Sequence, residues 1–220
     1  IPQPAPLVSL LIPTRDMRVV LEPCIRSILD KTTYRNYEVI ILDNESAEPA
    51  TLDYFKQIQA EDARVRVIPY PHPFNYSAIN NFGVLQARGE LVGLVNNDIE
   101  VISPEWLTEM VSHALRREIG CVGAKLYYED ETIQHAGVII GLGGVAGHSH
   151  KHFPRAASGY FHRLKIVQNL SAVTAACTVV RKDVYLAVGG LEEDGLRIAF
   201  NDVDFCLKVR KAGYRNLWTP

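Results

Sequence analysis

Gly89-Glu90-Leu91-Val92-Gly93-Leu94-Val95-Asn96-Asn97-Asp98-Ile99-Glu100-Val101 is the stretch on which the fold turns. A short apolar run bounded by turn residues has the pattern of a strand buried on both faces, as in the middle of a parallel sheet. Its last residues then emerge at the carboxyl edge, where open α/β sheets bind ligands. One carboxylate beside two amides is a weak metal site alone. It becomes adequate when a ligand brings phosphates, because Mg2+ takes one or two protein carboxylates with phosphate oxygens and water.

Working outward, Leu7 to Ile12 is a first buried strand, broken by Pro13, which sets Thr14-Arg15-Asp16 at the same edge. Leu21, Cys24, Ile25, Ile28 and Leu29 form a helical stripe, with Pro23 tolerated if it lies in the first turn. Tyr37 to Leu42 is a second strand ending in Asp43-Asn44. A strand, helix, strand order with about 30 residues per unit implies a right-handed crossover and a parallel pair. Thr51 to Ala60 is a helix, Val65 to Ile68 a strand, and Asn75-Tyr76-Ser77 a cap for a helix over Ala78 to Ala87. Past the opening stretch, Ser103 as N-cap with Pro104 at the first helical position starts a helix to about Leu115.

The second half has β-rich runs at Gly120 to Tyr127 and Ile133 to Ile140, then an irregular Gly- and His-rich stretch from Gly141 to Gly159. A strand around Ala175 to Val180, a short helix over Lys182 to Val188 and a last helix over Asp202 to Ala212, stopped by Gly213, complete it. Gly141-Leu142-Gly143-Gly144-Val145-Ala146 matches a dinucleotide fingerprint but lacks the helix that must follow. His148, His150 and His152 would share a face of an extended segment. Without a second ligand pair they make a poor zinc site and a better polar loop touching a ligand.

With 220 residues, 47% of them hydrophobic, and a net charge of −2, the chain can bury a full core as one domain, and a nucleic-acid partner is not indicated. No run has the length of a membrane span, so any membrane contact is expected through parts outside this chain. Ile1 to Pro6 reads as a Pro-rich linker and residues 7–220 as one domain. The absence of Met at position 1 and the abrupt stop at Trp218-Thr219-Pro220 suggest a piece of a longer protein, truncated at its C-terminal end. Cys24, Cys121, Cys177 and Cys206 form no CxxC pair and are expected to be buried reduced thiols of a cytosolic protein. Asp43 and Asp98, at the ends of neighbouring strands, point to a ligand, since uncompensated charge there is tolerated mainly for one. The bland account of Asn201-Asp202-Val203-Asp204 is that acids favour helix N-termini.

Taken together these segments resemble the family 2 inverting glycosyltransferases, an α/β class of GT-A fold with a Rossmann-like, mostly parallel mixed sheet flanked by helices. The resemblance is carried by Val8 to Arg15, Glu38 to Asn44, Asn80-Asn81-Phe82-Gly83 with Ala87 to Glu90, Asn96-Asn97-Asp98 at the DXD motif, and Asn201 to Leu207 at the ED motif. It implies a UDP- or dTDP-sugar donor, Mg2+ or Mn2+, and a saccharide or lipid-linked acceptor, in bacterial surface polysaccharide synthesis at a cytoplasmic site, peripheral to the inner face of the membrane. Pro13, Thr14, Arg15 and Asp43 would then line the nucleoside pocket, Arg88 would support the diphosphate, Asn44, Asn80, Asn96 and Asn97 would also contact the nucleotide sugar, and Asp98 would hold the metal. Asp202 would be the general base, with Thr174, Ala175 and Asp204 at the sugar and acceptor. Asn96 and Asn201 replace acids frequent in these motifs. That departure, with the truncation, motivates a silent nucleotide-binding module as the alternative. A sugar nucleotidyltransferase would need a Gly-rich triphosphate loop after the first strand, which Pro13 to Asp16 does not provide.

Overall fold

A computed structural model of the chain describes residues 1–220. In chain order the elements are β1 (Val8–Thr14), α1 (Arg18–Lys31), β2 (Tyr37–Asp43), α2 (Pro49–Glu61), β3 (Val65–Pro69), α3 (Tyr76–Gln86), β4 (Leu91–Val95) and α4 (Trp106–Ala114). There follow β5 (Ile119–Ala124), β6 (Leu126–Tyr127), β7 (Ile133–His135), β8 (Val138–Ile140), β9 (Ala146–His148), β10 (Gln168–Leu170), β11 (Cys177–Arg181), α5 (Lys182–Ala187), α6 (Asn201–Lys211) and β12 (Arg215–Thr219). Eight strands form one sheet in the order β10-β12-β5-β11-β4-β1-β2-β3. The block from β3 to β4 is parallel, β5 and β12 are parallel to each other, and β11 runs antiparallel between β4 and β5. The chain is thus a mixed, mostly parallel α/β fold, as expected.

The strand Leu91–Val95 is buried at every residue because the sheet is covered on both faces. Alternation along β1 shows how. Val8, Leu10 and Ile12 join a layer with α1, α2 and α4, whereas Leu11 joins a second layer with α3, α5 and α6. At the amino edge, Glu38 lies buried beneath Arg66 and accepts from the Ser9 hydroxyl at 2.7 Å and the Arg88 amide at 2.9 Å, while the Gly89 amide donates to Ser9 Oγ.

Several expectations are corrected. Pro13 does not break β1, which continues to Thr14. The Val8 amide and the Thr14 carbonyl both bond on the β2 side, so the missing amide of Pro13 falls on the β4 side, where pairing has ended at Leu11. Pro23 lies beyond the first turn of α1, and the carbonyl it leaves unpaired belongs to the solvent-exposed Val19. The fourth helix starts at Trp106 rather than Pro104. The Pro104 carbonyl is taken by the Thr33 amide and hydroxyl, which ties Ser103 to Glu105 to the end of α1 as a turn. The two β-rich runs are each broken in two, and the short strands β10 and β12 close the sheet where sequence reading placed none. The Gly-rich fingerprint is the tip of the β8–β9 hairpin, where Gly141, Gly143 and Gly144 adopt positive φ. His150 and His152 also have positive φ, so the three histidines do not share a face. Ala5 and Pro6 are docked rather than free, through Asn36 and the Tyr34 hydroxyl.

Candidate active site

The carboxyl ends of β1, β2 and β4 lie side by side, Thr14 in register with Asp43, and Asn97 Nδ2 donates to Thr14 Oγ1 at 3.0 Å. Asp43 caps the following turn with one oxygen, accepting from the Ser46 amide at 2.9 Å, and leaves the other free of protein partners. The β1 loop is locked to the β2 loop by Asp16, which accepts from the Ala47 and Glu48 amides and donates its own amide to Ser46 Oγ. Arg15 stands exposed above this joint. Asp98 is exposed at the end of β4, beside a cleft of about 920 Å3 whose walls include Trp106, Tyr127 and Arg155.

A second cleft, of about 460 Å3, lies on the other side of the β4 end and is lined by Asn96, Tyr76, His148, Thr174, Ala175, Asn201 and Asp202. Its floor is the segment leading into β11. The Asn96 amide donates to the Ala176 carbonyl at 3.0 Å, extending the β4–β11 ladder by a residue. The Ala175 amide donates to Asp202 Oδ2 at 3.2 Å. The Tyr76 hydroxyl sits 3.2 Å from Asn96 Oδ1 and 3.3 Å from the Ala175 carbonyl, joining the two motifs. Burial pushes the Tyr76 phenol well up, with the charge of Asp202 adding to it, so it remains a donor. Asp202 itself opens α6, where the helix N-terminus favours a carboxylate. It is therefore held in place from two elements.

Not every expected residue reaches this surface. Asn44 is buried and spends its amide on the Tyr70 and His72 carbonyls, and Asn80 is fully buried and bonds the Tyr76 carbonyl. Asn44 thus fixes the chain after β3, and Asn80 bonds within α3; neither side chain lines either cleft. Arg88 lies at the amino end of β4, bonded through its backbone to Glu38, across the sheet from Asp98, so its expected diphosphate role is not supported. Asp204 pairs with Lys208 at 3.1 Å along α6 and does not line the cleft. Conversely, Tyr76, read in the sequence only as part of a helix cap, lines the second cleft, as does His148 from the stretch expected to touch a ligand. Asn81 was quoted only as part of a motif, yet it accepts from the Tyr185 hydroxyl and the Leu191 amide and anchors the 189–200 loop beside the cleft.

Beyond the end of β4, Asp98 with Asn96 and Asn97 would meet a divalent cation. They supply one carboxylate and amide oxygens, a hard-oxygen set that suits Mg2+ or Mn2+ when phosphate oxygens complete the shell. No cluster of three or more His, Cys, Asp or Glu side chains could hold a metal unaided.

Comparisons with known proteins bear on the fold and on the family. In fold the chain is similar to the mannosyltransferase PcManGT from Pyrobaculum calidifontis in complex with GDP-Man and Mn2+, at a TM-score of 0.72 and 15% identity, over 98% of this chain and 55% of that one. It is similar also to GalNAc-T7 with UDP, GalNAc and Mn2+, at a TM-score of 0.79 and 15% identity, over 100% and 43%. The architecture is that of the GT-A glycosyltransferases. The sequence profile of Glycosyl transferase family 2 matches residues 9–188, and the chain belongs to that family. Relatives include the uncharacterized protein y4gI of Sinorhizobium fredii (strain NBRC 101917 / NGR234), 60% identical over 98% of this chain and 24% of that protein. The O-antigen biosynthesis protein RfbC of Myxococcus xanthus is 38% identical over 97% of this chain and 17% of its own length. The chain thus spans a quarter or less of these relatives.

Proposed function

We propose that this domain transfers a sugar from a UDP- or dTDP-sugar to a hydroxyl of a saccharide or lipid-linked acceptor, with inversion at the anomeric carbon. The observation that carries this reading is that the ends of β2 and β4 and the first turn of α6 bring Asp43, Asp98 and Asp202 to the carboxyl edge of one sheet, where the Tyr76 hydroxyl feels the charges of both Asp202 and Asp98 and Asp202 lines the cleft that Asn96 also lines. Pro13, Thr14, Arg15 and Asp43 form the nucleoside side, and the free oxygen of Asp43 accepts from a pyrimidine N–H. Asn97 and Asp98 face the diphosphate, where a bound Mg2+ or Mn2+ would supply positive charge against the departing nucleotide. Asp202 accepts the acceptor hydroxyl's proton as that oxygen bonds to the anomeric carbon and the bond to the diphosphate oxygen breaks. A single displacement of this kind inverts configuration. Likeness to RfbC supports a role in surface polysaccharide assembly, and no helix is long and apolar enough to cross a membrane.

Calorimetric titration with UDP and with dTDP, each with and without Mn2+, tests the donor side: metal-dependent binding that disappears in Asp98→Ala is expected. Asp202→Asn should keep that binding and lower sugar transfer by roughly 100-fold or more. Transfer at the parental rate in folded Asp202→Asn would sink the general-base role. Metal-dependent binding with no transfer to any acceptor would reduce the domain to a nucleotide-binding module.

A further inference from the structure

His148 in the cleft wall and His135 buried behind it form a hydrogen-bonded chain whose proton positions are fixed by one backbone amide. The Thr174 amide donates to His135 Nε2 at 3.4 Å, and His135 Nδ1 lies 2.8 Å from His148 Nδ1. His135 is completely buried, and burial, with His148 nearby, lowers its pKa to about 3, so it is neutral and carries one proton. Because Nε2 accepts from Thr174, that proton sits on Nδ1 and is donated to His148 Nδ1. Burial also lowers the pKa of His148, against the pull of Asp202. Its own single proton therefore sits on Nε2. The pairing of β8 with β9, which sets His148 opposite Val138, brings the ring to the cleft wall it shares with Asp202, Asn96 and Thr174.

Asp202 offers only acceptor oxygens and Asn96 turns its carbonyl oxygen to Tyr76, whereas sugar hydroxyls both donate and accept. We propose that His148 donates its Nε2–H to a ring hydroxyl of the hexose or deoxyhexose in transfer, and that His135 is the positioning residue that decides which nitrogen donates. This rests on the glycosyl-transfer reading above and adds a sugar-specificity residue to it.

The test is nitrogen-15 NMR of the histidine-labelled protein at neutral pH. The free protein should show His135 protonated at Nδ1 and His148 at Nε2. With Mg2+ present, UDP-glucose, UDP-N-acetylglucosamine or dTDP-rhamnose should move the His148 Nε2 resonance, whereas UDP and dTDP should not. Protonation of His148 at Nδ1, or a resonance that no sugar nucleotide moves beyond its bare nucleotide, overturns the proposal. Failure of UDP and dTDP to bind at all is instead a failure of the transfer reading and removes the sugar from this one, while the tautomers are still read from the free protein. Kinetics supply the second arm. His148→Gln, which keeps a donor near the Nε2 position, should hold kcat/KM within about threefold, and His148→Ala should lose about tenfold or more at unchanged nucleotide affinity. Equal rates for both variants overturn the role.

Discussion

Glu38 is a buried carboxylate at the amino edge of the sheet, paired with Arg66 and away from the clefts. Burial alone would raise its carboxyl. Hydrogen bonds from Ser9, the Arg88 amide and Arg66 outweigh that and hold it below its ordinary 4.5. A depressed carboxylate contributes stability that is fully present above the unfolded pKa and is lost as pH falls through the folded one. Glu38→Gln should therefore cost about 1–3 kcal/mol at neutral pH and flatten the fall in stability below pH 4.5, as measured by urea denaturation at stepped pH. Equal acid limbs for both proteins would remove Glu38 from the account. At this scale Asp43 and Asp98 stood out in the sequence because each follows an apolar run, whereas Asp202, an acid at a helix start, stood out only through the family resemblance. Asn44 and Asn80, expected at the nucleotide sugar, lie buried against backbone carbonyls for a physical reason: an amide in a motif looks the same whether it faces a ligand or a carbonyl, and only tertiary burial separates the two. The His135–His148 contact was invisible, since it joins residues on different strands.

Among the elements, a close approach that no side-chain movement can relieve lies where α3 hands over to β4. A Cβ on Gly89 would stand 2.6 Å from the Leu7 carbonyl, 2.7 Å from that of Leu91 and 2.8 Å from the Ser9 amide, all of them backbone atoms that cannot swing aside. Gly89→Ala should cost about 3 kcal/mol, read as a lower urea midpoint at unchanged slope. A midpoint equal to that of the parent would show that the strands part without cost. The helices and the parallel block were legible from period and length. The strands β10 and β12 were not. Each is short and acquires its conformation from pairing with a distant partner, Gln168 with Trp218 for instance. The Ser103-Pro104 signal failed because a tertiary contact with Thr33 claimed the carbonyl that a helix would have used.

The whole molecule carries two hydrophobic layers, one on each face of a single sheet, and all four cysteines are buried and unpaired. Burial drives the pKa of Cys24 and of Cys177 up to about 12, and hydrogen bonding to Cys206 together with burial raises that of Cys121. A thiol reagent should consequently modify the native protein at least about 100-fold more slowly than the guanidinium-unfolded chain, where all four react together. Rapid native modification of any one would reveal a layer that opens locally. That the sheet is mixed, with β11 reversed between two parallel blocks, could not be deduced from composition or period, because strand order depends on crossovers the sequence does not announce.

That reversed strand has a consequence for how the cleft breathes. The Asn96 amide belongs to the β4–β11 ladder, whereas the Ala175 amide depends on a carboxylate at the first turn of α6. In hydrogen-exchange terms the two protons, although close along the same floor, belong to different cooperative units. Asp202→Ala should accelerate exchange at Ala175 and leave Asn96 as slow as the sheet itself. The side of the cleft that meets the incoming hydroxyl would open and close on its own clock, over a donor side that stays shut.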